Sequence, residues 1–120
     1  MHRTIHWYRA NMDAVFPAHM REHVLAAMAS GTPLDTAMDE HGLLDEVAYG
    51  RARRDPEFRD RLYQALVKGR DPSLKHGRGW TYSHHKCRCP ECQTTQPGCT
   101  AARRWLETQH VGHTSLTPTA

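Results

Sequence analysis

Four cysteines, Cys87, Cys89, Cys92 and Cys99, fall within thirteen consecutive residues of the chain. Thiolates are ligands for Zn(II), and a closed tetrahedral site needs four donors. Cys89-Pro90-Glu91-Cys92 is a knuckle-type CxxC, in which a tight turn brings both sulfurs to one ion. Cys87-Arg88-Cys89 adds a closely spaced third thiolate, and Cys99, at the mouth of a last helix, is the simplest fourth. His76, His84 and His85 stand just upstream as competing donors. Met1 to Met20 contains Arg3, His6, Arg9 and Asp13 without an apolar stretch, so no secretory signal is read there. The expected address is the cytoplasm. In that reducing compartment crowded cysteines point to metal rather than to disulfides.

A metal loop needs something to hold it, and the chain is short. Its 120 residues allow one ordinary domain, or a small domain with a stapled appendage. Hydrophobic residues are 38% and charged residues 24%, which permits only a thin core. No apolar run approaches membrane-spanning length, so no membrane partner is expected. Charge is uneven. Residues 1–50 carry three arginines against seven acids, a net of −4, whereas residues 51–104 carry thirteen Lys/Arg against five acids, a net of +8. A basic half on a small protein points to a polyanion, most often nucleic acid.

The positioning elements read as helices. Residues 1–16, with Ile5, Trp7, Tyr8, Val15 and Phe16 apolar but without clean periodicity, are expected to pack over the next helices as an N-terminal arm or a short helix. Pro17 suits a first helical turn; Met20, Val24, Leu25 and Met28 recur at helical spacing, and Gly31 is a stop. Thr32 caps a second helix with Leu34, Ala37 and Met38 inward, ended by Gly42. Asp45 caps a third, with Val47 and Ala48 inward and Arg51, Arg53 and Arg54 at its end, where cations suit the dipole. Asp55-Pro56-Glu57 starts a fourth, with Phe58, Leu62, Ala65 and Leu66 as its buried stripe. These make a domain at 17–69. A metal-binding loop and a C-terminal helix from Ala101 to about His110 occupy 70–110, and 111–120 is a flexible tail.

Two short helices joined by a tight Gly42 turn match how a helix-turn-helix presents its second helix to a major groove. The stretch SGTPLDTAMDEHGLLDEVAYGRARRDPEFRDRLYQAL resembles the helix-turn-helix of phage terminase small subunits and related phage DNA-binding proteins. The likeness rests on Ala37-Met38, Gly42, Leu43, Tyr49, Arg53-Arg54 and Asp55-Pro56-Glu57-Phe58, and covers about residues 18–68. It implies a mostly α fold and DNA contact. This chain departs from the pattern by placing Leu44, Asp45 and Glu46 after the turn, where carboxylates repel phosphates, and Arg51 where the family has a Trp. The contact expected is therefore with the DNA backbone, through Arg51, Arg53 and Arg54 and the basic residues downstream.

Further along, HGRGWTYSHHKCRCPEC resembles a motif of small actinophage proteins: His-Gly, an aromatic, then Cys-Arg-Cys-x-x-Cys. The resemblance implies ligands at His76, Cys87, Cys89 and Cys92, so His76 and Cys99 compete for the fourth place. Lys75, Arg78, Lys86, Arg88, Arg103 and Arg104 surround the site and extend the basic surface.

The expected protein is thus mostly α: a helix-turn-helix domain, a zinc-stapled loop and a C-terminal helix. The expected function is a small phage or phage-derived DNA-binding protein, a regulator or packaging-type adaptor. The alternative is a zinc-stabilised interaction module that binds a host or phage protein through its acidic half. No enzyme is expected. His84-His85 beside a knuckle has the look of a metal nuclease, but no Asn/His partner or acidic metal cluster follows. His19 and His23, spaced i, i+4, read as a solvated face.

Overall fold

The glycine stops dictate where the first helices end. In the computed structural model, which describes residues 11–112, α1 (Ala18–Ala29) and α2 (Leu34–Asp39) close in the same way. After α1, Gly31 adopts φ 109°, its N–H reaches the Met28 carbonyl, and the Thr32 N–H reaches Ala27. After α2, Gly42 adopts φ 73°, its N–H reaches Asp39, and the Leu43 N–H reaches Met38. Both are Schellman closures, which need a left-handed residue that only glycine supplies without strain.

The helix starts differ from expectation. Thr32 does not cap α2; Pro33 holds the cap position with no side-chain bond. Asp45 does not cap α3 (Asp45–Arg54), which begins inside the helix at Asp45 with Leu44 preceding it. Asp45 and Glu46 instead lie in the first turn, where the helix dipole favours carboxylates without a cap bond. By contrast Asp55 does cap α4 (Pro56–Gly69): its Oδ1 accepts the Phe58 N–H at 3.1 Å. Its Oδ2 accepts the Arg51 Nε–H at 2.9 Å, so one carboxylate closes α3 and opens α4.

Packing follows from the apolar stripes. Val24, Leu25 and Met28 of α1, Leu34, Ala37 and Met38 of α2, Ala48 and Ala52 of α3, and Phe58, Leu62 and Ala65 of α4 share one core. Phe16, in the segment read as an arm, belongs to that core at 1% exposure and meets Phe58 edge-on at 5.7 Å. Residues 11–15 before it are helical; residues 1–10 of the expected arm lie outside the described residues. The pairs Phe16–Phe58, Glu22–Arg61 and Met28–Gly69 advance together, so α1 and α4 lie side by side in the same direction. A Cβ on Gly69 would fall 1.8 Å from the Met28 carbonyl oxygen; the crossing is that close.

The chain forms two compact units, Met1–Gly69 and Arg70–Ala120. The second contains α5 (Gly79–His84), α6 (Pro90–Gln93) and α7 (Thr100–Gly112). Thus α7 runs on through the first two residues of the expected tail, and 113–120 lie outside the described residues. The protein is mostly helical, with no strand among the described residues. No helix among them is long and apolar enough to cross a membrane.

Candidate metal centre

The site is built from the loop after α4 and the two short helices beyond it. Asp71 opens the loop with a side-chain turn, its Oδ1 accepting the Ser73 N–H at 2.9 Å and hydroxyl at 2.7 Å. The chain folds back so that His76 Nε2 lies 2.8 Å from the Asp71 carbonyl oxygen. A carbonyl only accepts, so Nε2 carries the proton and Nδ1 keeps its lone pair. This is how proteins orient a ligating imidazole. Nδ1 faces Cys87 Sγ at 3.3 Å, Cys92 Sγ at 3.5 Å and Cys89 Sγ at 3.6 Å. The four donor atoms all lie within 4.8 Å of one another, so His76, Cys87, Cys89 and Cys92 could hold one metal ion.

Local backbone explains the motif around these ligands. Gly77 has φ 84°, and open space surrounds its missing Cβ, so its requirement is conformational rather than steric. In that conformation its N–H donates to Cys92 Sγ. The Cys89 N–H donates likewise to Cys87 Sγ across the Cys-x-Cys step. Lys86, at φ 57°, turns the chain out of α5 so that the Cys87 N–H reaches the Thr81 carbonyl at 3.3 Å. Pro90 sits at the first position of α6, and the one-turn helix sets Cys89 and Cys92 side by side, both buried.

Electrostatics favours a cation here. Burial pushes the Cys87 thiol up to about 12, and burial also raises that of Cys92; the Cys89 side chain adds to both, against the Cys89 N–H at Cys87 and the Gly77 N–H at Cys92, which lower them. Several thiolates close together repel, and a metal ion removes that repulsion by displacing their protons. Arg70 sits beside the cluster, its Nη1 donating to Cys89 Sγ at 3.4 Å and to Glu91 Oε1 at 2.5 Å. Burial lowers its pKa, but these two partners outweigh burial and raise it. It supplies a fixed positive charge beside the Cys89 sulfur.

Cys99 is not part of this group. The hydrogen-bonded turns after α6 occupy the residues between Cys92 and Cys99, and Cys99 stands half-buried just before α7. His84 and His85 are exposed and outside the cluster; His84 stacks on Trp80 instead. His23, read as solvated, meets His41 from the turn after α2, with Nδ1 and Nε2 3.0 Å apart.

The cations expected on phosphate divide in two. Arg51 is half-buried and ion-paired with both Asp13 and Asp55, which ties it to the α3–α4 junction. Arg88 is committed as well, donating to the Tyr82 carbonyl at 2.9 Å and lying 3.8 Å over the Tyr82 ring. Arg53, Arg54, Lys75, Arg78 and Lys86 are exposed, and none is in an ion pair among the described residues. Sequence reasoning missed Arg70 and Trp80; the signal for Trp80 was its place in a loop with little apolar company. Comparison with protein-family models, with curated proteins and with solved structures finds no match.

Proposed function

We propose that this chain is a small DNA-binding protein of phage type, in which one Zn(II) holds the C-terminal unit and that unit supplies most of the phosphate contacts. Zinc is the best fit to the donor set. Ideal tetrahedral bonds of about 2.3 Å to sulfur and 2.05 Å to nitrogen set S···N spacings near 3.6 Å. The three spacings to His76 Nδ1 are 3.3, 3.5 and 3.6 Å. Four protein donors close the shell, which is the structural rather than the catalytic arrangement. The described part of the unit buries little else: Thr81, Cys89, Pro90, Cys92 and Ala102. Metal binding therefore supplies much of its folding energy.

The observation that carries the DNA reading is the charge of that unit. Residues 70–120 hold seven Lys/Arg against three acids, a net of +4, while residues 1–69 hold nine against ten, a net of −1. The short α2, the Gly42 turn and α3 fit a helix-turn-helix order, with Arg53 and Arg54 exposed at the end of α3. A mobility-shift titration at two salt concentrations, with and without a zinc chelator, tests the reading. Binding should weaken steeply with salt and fall on chelation. A protein that ignores both duplex and single-stranded DNA at low salt overturns it.

One observation favours a second reading, an interaction module for a host or phage protein. Leu44 is 70% exposed immediately before Asp45 and Glu46, an apolar tip with acids behind it. Under this reading Leu44→Ser abolishes capture of a protein partner and leaves DNA retention unchanged.

A further inference from the structure

Trp80 is 64% exposed, an uncommon state for the largest apolar side chain. It lies at the second position of α5, and His84, one turn on, stacks against it with centroids 3.4 Å apart and planes 20° from parallel. One face of the indole is therefore covered by the imidazole. The exposure that remains belongs to the opposite face and the ring edge. A ring stacked in this way lies against its own helix with one face turned outward.

Its surroundings are cationic. Lys75 and Arg78 precede it and Lys86 follows, all exposed, with no acid between Asp71 and Glu91. The helix itself is anchored from behind. Thr81 is buried, its hydroxyl donating to the Lys75 carbonyl at 2.5 Å, and Arg88 clamps Tyr82. The platform is thus fixed to the metal unit rather than carried on a mobile chain.

We propose that Trp80, backed by His84, is a stacking platform for an unpaired base of a nucleic-acid strand, with Lys75, Arg78 and Lys86 gripping its phosphates. This rests on the nucleic-acid reading and deepens it: the ligand is single-stranded or locally unpaired, not closed duplex. An exposed aromatic face among cations fits this ligand, because every base offers a π-face and every linkage a phosphate. A closed duplex hides its base faces and offers the indole nothing to stack on.

The test compares fluorescence anisotropy of labelled oligo-dT of about 15 nucleotides with that of a duplex of equal length. The proteins are the zinc-loaded full chain, Trp80→Ala and Trp80→Tyr. Trp80→Ala should weaken oligo-dT binding roughly tenfold or more, and Trp80→Tyr should recover most of the loss. Duplex affinity and the salt slope should hardly change, since no phosphate contact is removed. Zinc content equal to wild type shows that the unit remains folded. Oligo-dT binding that ignores Trp80 overturns the platform and leaves the DNA reading standing. Absence of binding to either nucleic acid overturns both. Loss of adhesion to anionic vesicles in Trp80→Ala, with oligo-dT binding intact, assigns the face to a membrane surface and overturns the proposal.

Discussion

His76 is fixed at both nitrogens, by the Asp71 carbonyl on one side and by three sulfurs on the other. Removing it leaves three thiols without their fourth partner, so His76→Ala should weaken zinc binding by well over the 10–100-fold typical of outer-shell losses. Cys99→Ser should bind as wild type; competition against a chromogenic chelator reads both. Arg70→Met removes only the guanidinium beside Cys89, and should fall in the 10–100-fold range with stoichiometry unchanged. The thiol knuckle was legible because Cys-x-Cys and CxxC spacings have few other uses. The fourth donor was narrowed only to His76 or Cys99, because distance along the chain says little about distance in space. The glycine after His76 was the better signal, since its left-handed backbone aims an N–H at Cys92. Asp55 is the counterpart in the first unit. Burial raises its pKa, but the Phe58 N–H and the Arg51 guanidinium outweigh burial and hold the carboxyl below its usual range. The stability it contributes is complete above the unfolded-state value and is lost as pH falls through the folded one. Asp55→Ala should cost about 1–2 kcal/mol at neutral pH and flatten the acid limb of a pH–stability curve.

At the scale of elements the parallel α1–α4 pair is the frame on which α2 and α3 are hung. Phe58 stands between Phe16 and the rest of the core, and truncation to Ala should cost about 3–5 kcal/mol. At about 4–8 °C per kcal/mol for a domain this small, that lowers Tm by at least ~12 °C. Gly69→Ala tests the crossing itself. Its Cβ would meet the Met28 carbonyl, backbone that cannot swing aside, so the end of α4 must move. The same change in an open, right-handed helical position would stabilise. Here circular dichroism should show a lower Tm for the first unit, while zinc content of the second is unchanged. The helix stripes and the glycine stops were legible, because 3.6-residue periodicity and positive φ both have narrow residue preferences. The starts were less so. Thr32 and Asp45 are good capping types, yet the chain enters α2 and α3 through Pro33 and Leu44 with no side-chain cap. Phe16 was legible only as one apolar residue of an aperiodic segment that packs over the helices; with no repeat to read, its place against Phe58 was not.

For the whole molecule, charge changes meaning once the units are drawn. Divided at residue 50, the sequence put the arginines of α3 and α4 into the basic half. Divided at residue 69, those arginines join the acids of the first unit, and two of them are ion-paired there. Arg51 grips Asp13 and Asp55, and Arg61 grips Glu22. A cation already held by two carboxylates releases few counterions when DNA arrives, so it contributes little to a salt slope. Among the described residues, Lys75, Arg78 and Lys86 of the second unit are exposed and in no ion pair, and they should carry the slope. Replacing Lys75, Arg78 and Lys86 together by Ala should flatten the log–log salt dependence of DNA binding by about 0.9 per phosphate contact removed, and weaken all sequences alike. Arg51→Ala should leave the slope unchanged and instead lower the Tm of the first unit, because it unties the α3–α4 junction. If the two variants exchange phenotypes, with Arg51 setting the slope and the lysines and Arg78 silent, then the first unit rather than the metal unit faces the phosphates. The chelation result must agree: removing zinc should melt the second unit, abolish the slope carried by its cations and leave the Tm of the first unit where it was.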